Sequence, residues 1–393
     1  MLISLDQDAK NVTFEQKDCI SMSKAYFAYI PTIKGSVEEE WKQCLNQILV
    51  TCSSGFIPVK LNIFVDLPDF ETLLPTRKSI GMSMTYAFGK CSPAYNVSVH
   101  PPAKPWKTSV EAAFIPSGSM EVSYKSFKSI PYVILETVYG REIWAAGVST
   151  YSYQNDTMKA AENAFNMMVS LLETEKMSLN NIVRQWNYIG DILSVNDGVK
   201  NYQIFNEVRK DFYSRFRTLK GFPAATGVGM KHGGVILDFC ALKPVEKIKI
   251  IAIDNPNQVN AYNYRQEKHP PQFERALLIS NDSKALLHIS GTASIIGQET
   301  MGRGSIEEQT LVTIENIKKL ADPERISQLL ATPFISLEKF SLLRVYIKQP
   351  GDFSIVRSIC SSHFPKVSAV YIEADICRDD LLMEIEAEAE LSQ

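Results

Sequence analysis

Apolar and polar positions fall into one succession of periods three times along the chain. In the first stretch the apolar run Ala25–Ile30 predicts a strand. Ser36 followed by Glu39 then forms a capping box ahead of Trp41, Leu45, Ile48 and Leu49, one stripe of a helix reaching Cys52. Alternation over Val59–Val65 predicts a second strand, Asp66–Glu71 a short helix, and Tyr95–Val99 and Ser109–Ile115 two further strands. The order is strand, helix, strand, short helix, strand, strand.

That order returns over residues 131–245. Ile143–Gly147 leads into a helix from Asp156 to Met177 with Ala161, Ala164, Phe165, Met168, Leu171 and Leu172 inward. Ile182–Ile189 is a strand, Tyr202–Phe216 a helix, and Thr226–Met230 and Val235–Leu242 are strands. Residues 276–390 repeat it through Ala285–Gly291, a helix capped by Ser305 with Glu308, the strand Leu342–Lys348, the helical run Asp352–Cys360, and a terminal strand over Leu381–Ala387.

A unit of this order forms a mixed sheet with two helices on one face, which leaves the other face to be covered. The expected architecture is therefore α+β: three fused αβ units, at 1–125, 126–250 and 251–393, arranged as a pseudo-trimeric monomer. Pro101–Pro105 and the stretch from Asn255 to Pro271 read as linkers, and the acidic tail beyond Glu386, with Glu388 and Glu390, as a frayed, solvated end.

Composition narrows the function classes. A formal net charge of −3 with 22% charged residues gives no basic excess for nucleic acid. Met1–Asp6 lacks the cationic and apolar regions of a signal peptide, and no segment has the apolar length of a membrane span, so a cytoplasmic protein is expected. Seven cysteines (19, 44, 52, 91, 240, 360, 377) and five histidines (100, 232, 269, 288, 363) are scattered without metal-ligand spacing, so reduced thiols and no metal site are expected. Met301–Ser305 lacks a P-loop ending and reads as a loop with an N-cap, and Gly227–Gly234 precedes a strand, unlike a dinucleotide fingerprint.

The terminal strand carries Glu384 and Glu386 at a spacing that points both to one face. Aligning the three copies sets Ser109 and Ile236 at the position of Glu384, and Glu111 and Asp238 at that of Glu386. The second carboxylate is shared and the first occurs once. Glu384 is thus either a solvent-facing strand glutamate or the mark of one working cleft.

The third copy, with Ile289-Ser290-Gly291, a long helix, Phe364-Pro365 and Glu384-Ile385-Glu386-Ala387, resembles the YjgF/RidA family. Together with Arg184–Tyr188, Asn206 with Arg209 and Tyr213, Phe222–Gly227 and Asp375–Arg378, the chain is similar to the chorismatases, well over 131–390 and weakly before. Where plain YjgF/RidA enzymes carry an arginine after Phe-Pro, this chain has Val367, and Ala225 in copy two, against an imine-deaminase reading.

The resemblance implies removal of the enolpyruvyl group of chorismate as pyruvate, without a cofactor. Gly291 in Ser-Gly-Thr-Ala-Ser and Cys377 seven positions before the glutamate match the branch that forms 3-hydroxybenzoate. Hydrolysis to a dihydroxycyclohexadiene carboxylate, mixed 3- and 4-hydroxybenzoate formation, and a silent ligand-binding protein stay open. Glu384 would be the acid that protonates the enol ether, its pKa raised by desolvation. For the dianionic substrate, Arg184 and Tyr188 on one strand face, Arg209 and Tyr213 one helical turn apart, and Thr226 make a candidate binding set, with Arg344 weaker. Each has a plain alternative: a surface arginine, a core aromatic, a backbone bend at Gly291, a small buried hydrophobe at Cys377.

Overall fold

The computed structural model describes residues 24–153, 155–265, 268–281, 283–331 and 336–392; Met1–Asp6 and Cys19 lie outside them. The first unit comprises β1 (Ala25–Tyr29), α1 (Val37–Ser53), β2 (Phe56–Val65), α2 (Phe70–Phe88), β3 (Ala94–Ser98) and β4 (Thr108–Pro116). The second comprises β5 (Glu121–Phe127), β6 (Ile130–Thr137), β7 (Gly140–Val148), α3 (Thr157–Thr174), β8 (Ile182–Gly190), the small ribbon β9 (Val195–Asn196) with β10 (Val199–Lys200), α4 (Asn201–Phe216), β11 (Ala224–Met230) and β12 (Val235–Pro244). The third comprises β13 (Lys249–Ile253), β14 (Ala276–Ser280), β15 (Lys284–Ala293), the ribbon β16 (Ile295–Ile296) with β17 (Glu299–Thr300), α5 (Ile306–Leu320), α6 (Pro323–Leu330), β18 (Ser336–Ile347), α7 (Phe353–His363), β19 (Ser368–Glu373) and β20 (Met383–Ser392).

The sheets share one topology. Their orders are β3-β2-β4-β1, β11-β8-β12-β7 and β19-β18-β20-β15, the last two extended by β6-β5 and β14-β13. In each the first pair is parallel and the rest antiparallel. Register makes the repeat residue-specific: Asn62 opposes Glu111, Trp186 opposes Asp238 and Arg344 opposes Glu386. Likewise Phe64 opposes Ser109, Tyr188 opposes Ile236 and Tyr346 opposes Glu384. The copies therefore align as the sequence spacing had them.

Each sheet buries one face under its helices. Trp41, Leu45, Ile48 and Ile80 do this in the first unit, Phe165, Met168, Leu172 and Phe212 in the second, and Ile314, Ile317, Val356 and Cys360 in the third. The other faces meet in a shared core that includes Phe64 and Ile115 of the first unit, Trp144, Trp186 and Ile236 of the second, and Tyr346, Val370 and Ile376 of the third. This central layer is what a sheet with one open face requires.

Four expectations need correction. The boundaries after residues 125 and 250 fall inside β5 and β13, so the sheets begin a few residues earlier; the mainly polar run of β5, an edge strand, hides it. The short helix after β2 is the full-length α2, capped by Asp69, because packing of Leu73, Ile80 and Met84 overrides the interruption by Pro75 and Gly81. The acidic tail is ordered in the interior of the third sheet: Glu388 is 3% exposed, accepts a hydrogen bond from Tyr26 and pairs with His288 at 3.3 Å. The supposed linker before β14 lines the cleft described below. No described helix is long and apolar enough to cross a membrane, and none of the six described cysteines forms a disulfide.

Candidate active site

Where the three sheets converge, buried charges are matched in pairs. Arg344 bridges Glu111 (Nε to Oε2, 2.7 Å) and Glu386, and Lys60 pairs with Asp238 at 2.8 Å. Glu386 also accepts hydrogen bonds from Arg184 Nη2 (2.7 Å), Trp186 Nε1 (2.8 Å) and the Thr226 hydroxyl. Burial pushes the Glu386 carboxyl up, but Arg344 and Arg184, with these donors, hold it below the usual carboxylate range. It is a fixed anion.

Glu384, on the same face of β20, is 5% exposed and receives no hydrogen bond from a described residue. Burial and the negative charge of Glu386 raise its pKa to about 8, against the opposing pull of Arg184 and Arg275. At neutral pH this carboxyl holds its proton. Its registered partner across the strand pair is Ala293, and its carboxyl lies against Gly291, one of two residues in a bulge between β15 and β20. A Cβ at Gly291 would lie 2.0 Å from Glu384 Oε1 and 3.2 Å from Thr226 Cγ2, so the carboxyl occupies the space that glycine leaves. Gly291 N–H donates to Thr226 Oγ1 at 3.0 Å, and Arg184 donates to the same oxygen at 2.7 Å.

Glu384 closes the floor of a cleft between the second and third units. Tyr202, Arg209, Ala225, Thr226 and Gly227 come from the second; Tyr264, Pro271, Phe273, Arg275, Gly291, Ala293, Ile295, Cys377, Arg378, Leu381 and Glu384 come from the third. Its enclosed volume is about 40 Å³. A second cavity of about 250 Å³ lies beyond Tyr264 and Arg378, which line both, and includes Arg303 and Asp380.

Five of the eight residues singled out from sequence line the cleft: Glu384, Cys377, Gly291, Arg209 and Thr226. Arg184, Tyr188 and Tyr213 do not. Arg184 is committed to Glu386 and Thr226. Tyr188 is buried in the shared core beside His100, their ring centroids 5.5 Å apart. Tyr213 packs among the helices on the far side of the sheet, its hydroxyl donating to Gln185 at 2.7 Å. Period two on β8 and one turn on α4 give the direction of a side chain along its element, but not what faces it.

Arg275, which the sequence reading passed over, enters the site at the start of β14. Its Nη2 donates to Val259 O and to the Tyr264 hydroxyl, both at 2.5 Å, and its Nε is buried with no hydrogen-bond partner among the described residues. Arg209 is similarly poised: Nη2 donates to Asn206 at 2.7 Å while its buried Nε has no partner. Arg378 lies over the Tyr264 ring at 5.0 Å and donates to Gln298 O. Three guanidiniums and one protonated carboxyl thus line one cleft, an arrangement able to receive an anion and offer it a proton. Among the described residues no group of three or more His, Cys, Asp or Glu is placed to hold a metal ion.

Comparison with known proteins gives the site a context. Residues 137–241 match the family model described as chorismatase FkbO/Hyg5-like, N-terminal. A protein named 3-hydroxybenzoate synthase from Streptomyces hygroscopicus is 32% identical over 237 residues, 58% of this chain and 68% of that protein. The chain belongs to the chorismatase family. A second family member, a chorismatase of Streptomyces rapamycinicus, is 32% identical over 212 residues, 52% of this chain and 63% of its own length. Family membership extends to the fold: a chorismatase crystal structure at 1.08 Å resolution superposes with a TM-score of 0.63, covering 94% of this chain and 100% of that one at 21% identity.

Proposed function

We propose that the chain converts chorismate to 3-hydroxybenzoate and pyruvate in the cleft between its second and third units, with Glu384 as the general acid. The observation that carries this reading is the contrast on one strand face between Glu384, neutral and without a donor, and Glu386, a fixed anion. Cleavage of an enol ether begins with a proton delivered to the methylene carbon, which makes an oxocarbenium ion at the ether carbon. Glu384 gives that proton, and the carboxylate it becomes stands where it stabilises the cation. The bond from the ring carbon to the ether oxygen then breaks and pyruvate leaves with that oxygen, while the neighbouring ring hydroxyl bonds to the vacated carbon and returns its proton to Glu384. The bridging oxygen opens to the phenol as the ring loses a C–H proton and becomes aromatic. The two products together contain the atoms of chorismate, so no water is consumed overall.

Arg209, Arg275 and Arg378 supply cations for the two carboxylates of the substrate, the first two through nitrogens without a hydrogen-bond partner among the described residues. The enclosed 40 Å³ is far below the roughly 300 Å³ at the lower end of ligand pockets, so Tyr264 and Arg378, shared with the outer cavity, move aside on entry. Gly291 leaves room for the Glu384 carboxyl beside the ring, and Cys377 lines the wall near it. The chain is taken to work as a single-chain pseudo-trimer in the cytoplasm, in keeping with its reduced, scattered thiols.

Incubating the purified protein with chorismate, in buffer free of metals and nucleotides, and identifying the organic products tests the reading. Equal amounts of pyruvate and 3-hydroxybenzoate are expected. Pyruvate accompanied by a dihydroxycyclohexadiene carboxylate would move the chain to the hydrolytic branch. No pyruvate would remove the activity altogether.

A further inference from the structure

The internal symmetry sets a second seam, between the first and second units, whose residues correspond to those lining the cleft and which Tyr151 covers. Buried Leu73, Thr76 and Ile80 of α2 match Phe205, Val208 and Phe212 of α4 in spacing and burial, which sets Arg77 at the place of Arg209. Strand register sets Asn96 at the place of Thr226. Gly147 sits in the bulge between β7 and β12 as Gly291 sits in that between β15 and β20. Tyr151, four residues on, then stands where Ile295 lines the first cleft, and Ile236 stands in place of Glu384.

Arg77 is the unexplained group here. Its Nη1 is buried with no hydrogen-bond partner, and no described carboxylate lies within ion-pair distance. Burial lowers its pKa to about 9, against the opposing pull of Tyr95 and Asp238. Both polar atoms of the Asn96 amide are likewise buried and unpartnered. What touches the guanidinium is the ring of Tyr151, 3.2 Å from it. Tyr151 holds φ at 55°, in the left-handed region that an aromatic residue rarely adopts. Its neighbours Thr150, Ser152 and Tyr153 are exposed. The third unit has Arg357 at the matching helix position, but exposed to solvent and so in no need of a partner.

We propose that this seam opens to bind a small ring carboxylate, with Arg77 gripping the carboxylate and the ligand's ring taking the place of Tyr151. Tyr95 and Val97 stand at the positions of Ala225 and Gly227 and leave less room, which selects a one-ring monocarboxylate over a bulkier dianion. Ile236 has no proton to give, so the ligand is held and not converted. The site stands whether or not the first cleft turns over chorismate.

Crystals of the full chain grown with 3-iodobenzoate locate the ligand by the anomalous signal of iodine. A peak beside Arg77 with Tyr151 turned outward is expected; iodine found in the Glu384 cleft alone overturns the proposal. In calorimetric titration with the same probe, the wild type binds two equivalents per chain. Arg77→Met, which replaces the cation with an apolar chain of similar reach, binds one while its chorismate turnover is unchanged. Tyr151→Ala, which removes the cover, binds the second equivalent about tenfold more tightly. A single equivalent in both wild type and Tyr151→Ala overturns the site, and this arm holds even where Arg77→Met fails to fold.

Discussion

Glu384 and Glu386 share one face of β20, two residues apart, yet the first is a neutral acid and the second a fixed anion. Their partners differ: four side chains donate to Glu386 and none of the described residues donates to Glu384. Burial first, and then the anchored charge, keeps its neighbour protonated, the arrangement by which two carboxyls close together take different roles.

Removing the acid should stop the reaction without harming the fold. Glu384→Gln is expected to lower kcat by about 10²- to 10⁴-fold, the usual contribution of a general acid, in an assay of pyruvate release. The raised pKa also fixes a stability signature. The native carboxyl binds its proton up to about 8 and the unfolded one only to 4.5, so the wild type loses stability as pH rises through that window. Glu384→Gln cannot ionise, and its melting temperature should exceed that of the wild type at pH 9 while matching it at pH 4.

Glu386→Gln should move the alkaline limb of the pH profile of kcat downward, by about one unit for the loss of one nearby negative charge. It also leaves Arg344 and Arg184 short of a partner, and about 3 kcal/mol or more of stability should go with it. A profile whose alkaline limb does not move would mean that Glu386 plays no part in keeping Glu384 protonated.

The arginines divide by what they face. Arg209→Met and Arg275→Met should raise KM for chorismate by about ten- to a hundredfold, the loss of a charge-assisted pair. Arg184→Met removes a donor from Glu386 and should appear chiefly as a lower melting temperature. Steady-state kinetics alongside thermal unfolding separate the two groups; a KM effect from Arg184→Met as large as that from Arg209→Met would undo the division.

Gly291→Ala places a methyl group 2.0 Å from the present position of Glu384 Oε1, so the carboxyl must swing away. Slower pyruvate release and an altered ratio of aromatic products are expected, read by chromatography of the reaction mixture. Unchanged rate and products would show that the carboxyl has room to spare.

Much of this was legible in the chain. The three repeats and the unique Glu384 follow from period two and period 3.6 patterns, which are local. What stayed hidden depends on distant partners. Glu388 in an alternating Glu-Ala-Glu-Ala run reads as solvent-facing until Tyr26 and His288 are brought to it from other strands, when its pKa falls to about 2 despite burial. Arg275 follows a stretch dense in turn formers, and nothing in that stretch says it folds back over a cleft. Arg184 has the right direction on its strand, but the carboxylate awaiting it is Glu386 of the same chain.

Fusion of three units into one chain has a consequence for variation. In an assembly of identical subunits every substitution appears at all three seams, so a carboxyl suited to one cleft is forced on the others. Here positions 109, 236 and 384 hold serine, isoleucine and glutamate at equivalent points of their strands. Each seam can be altered alone, and a redesign at Ile236 or Ser109 can add chemistry to the molecule while leaving Glu384 untouched.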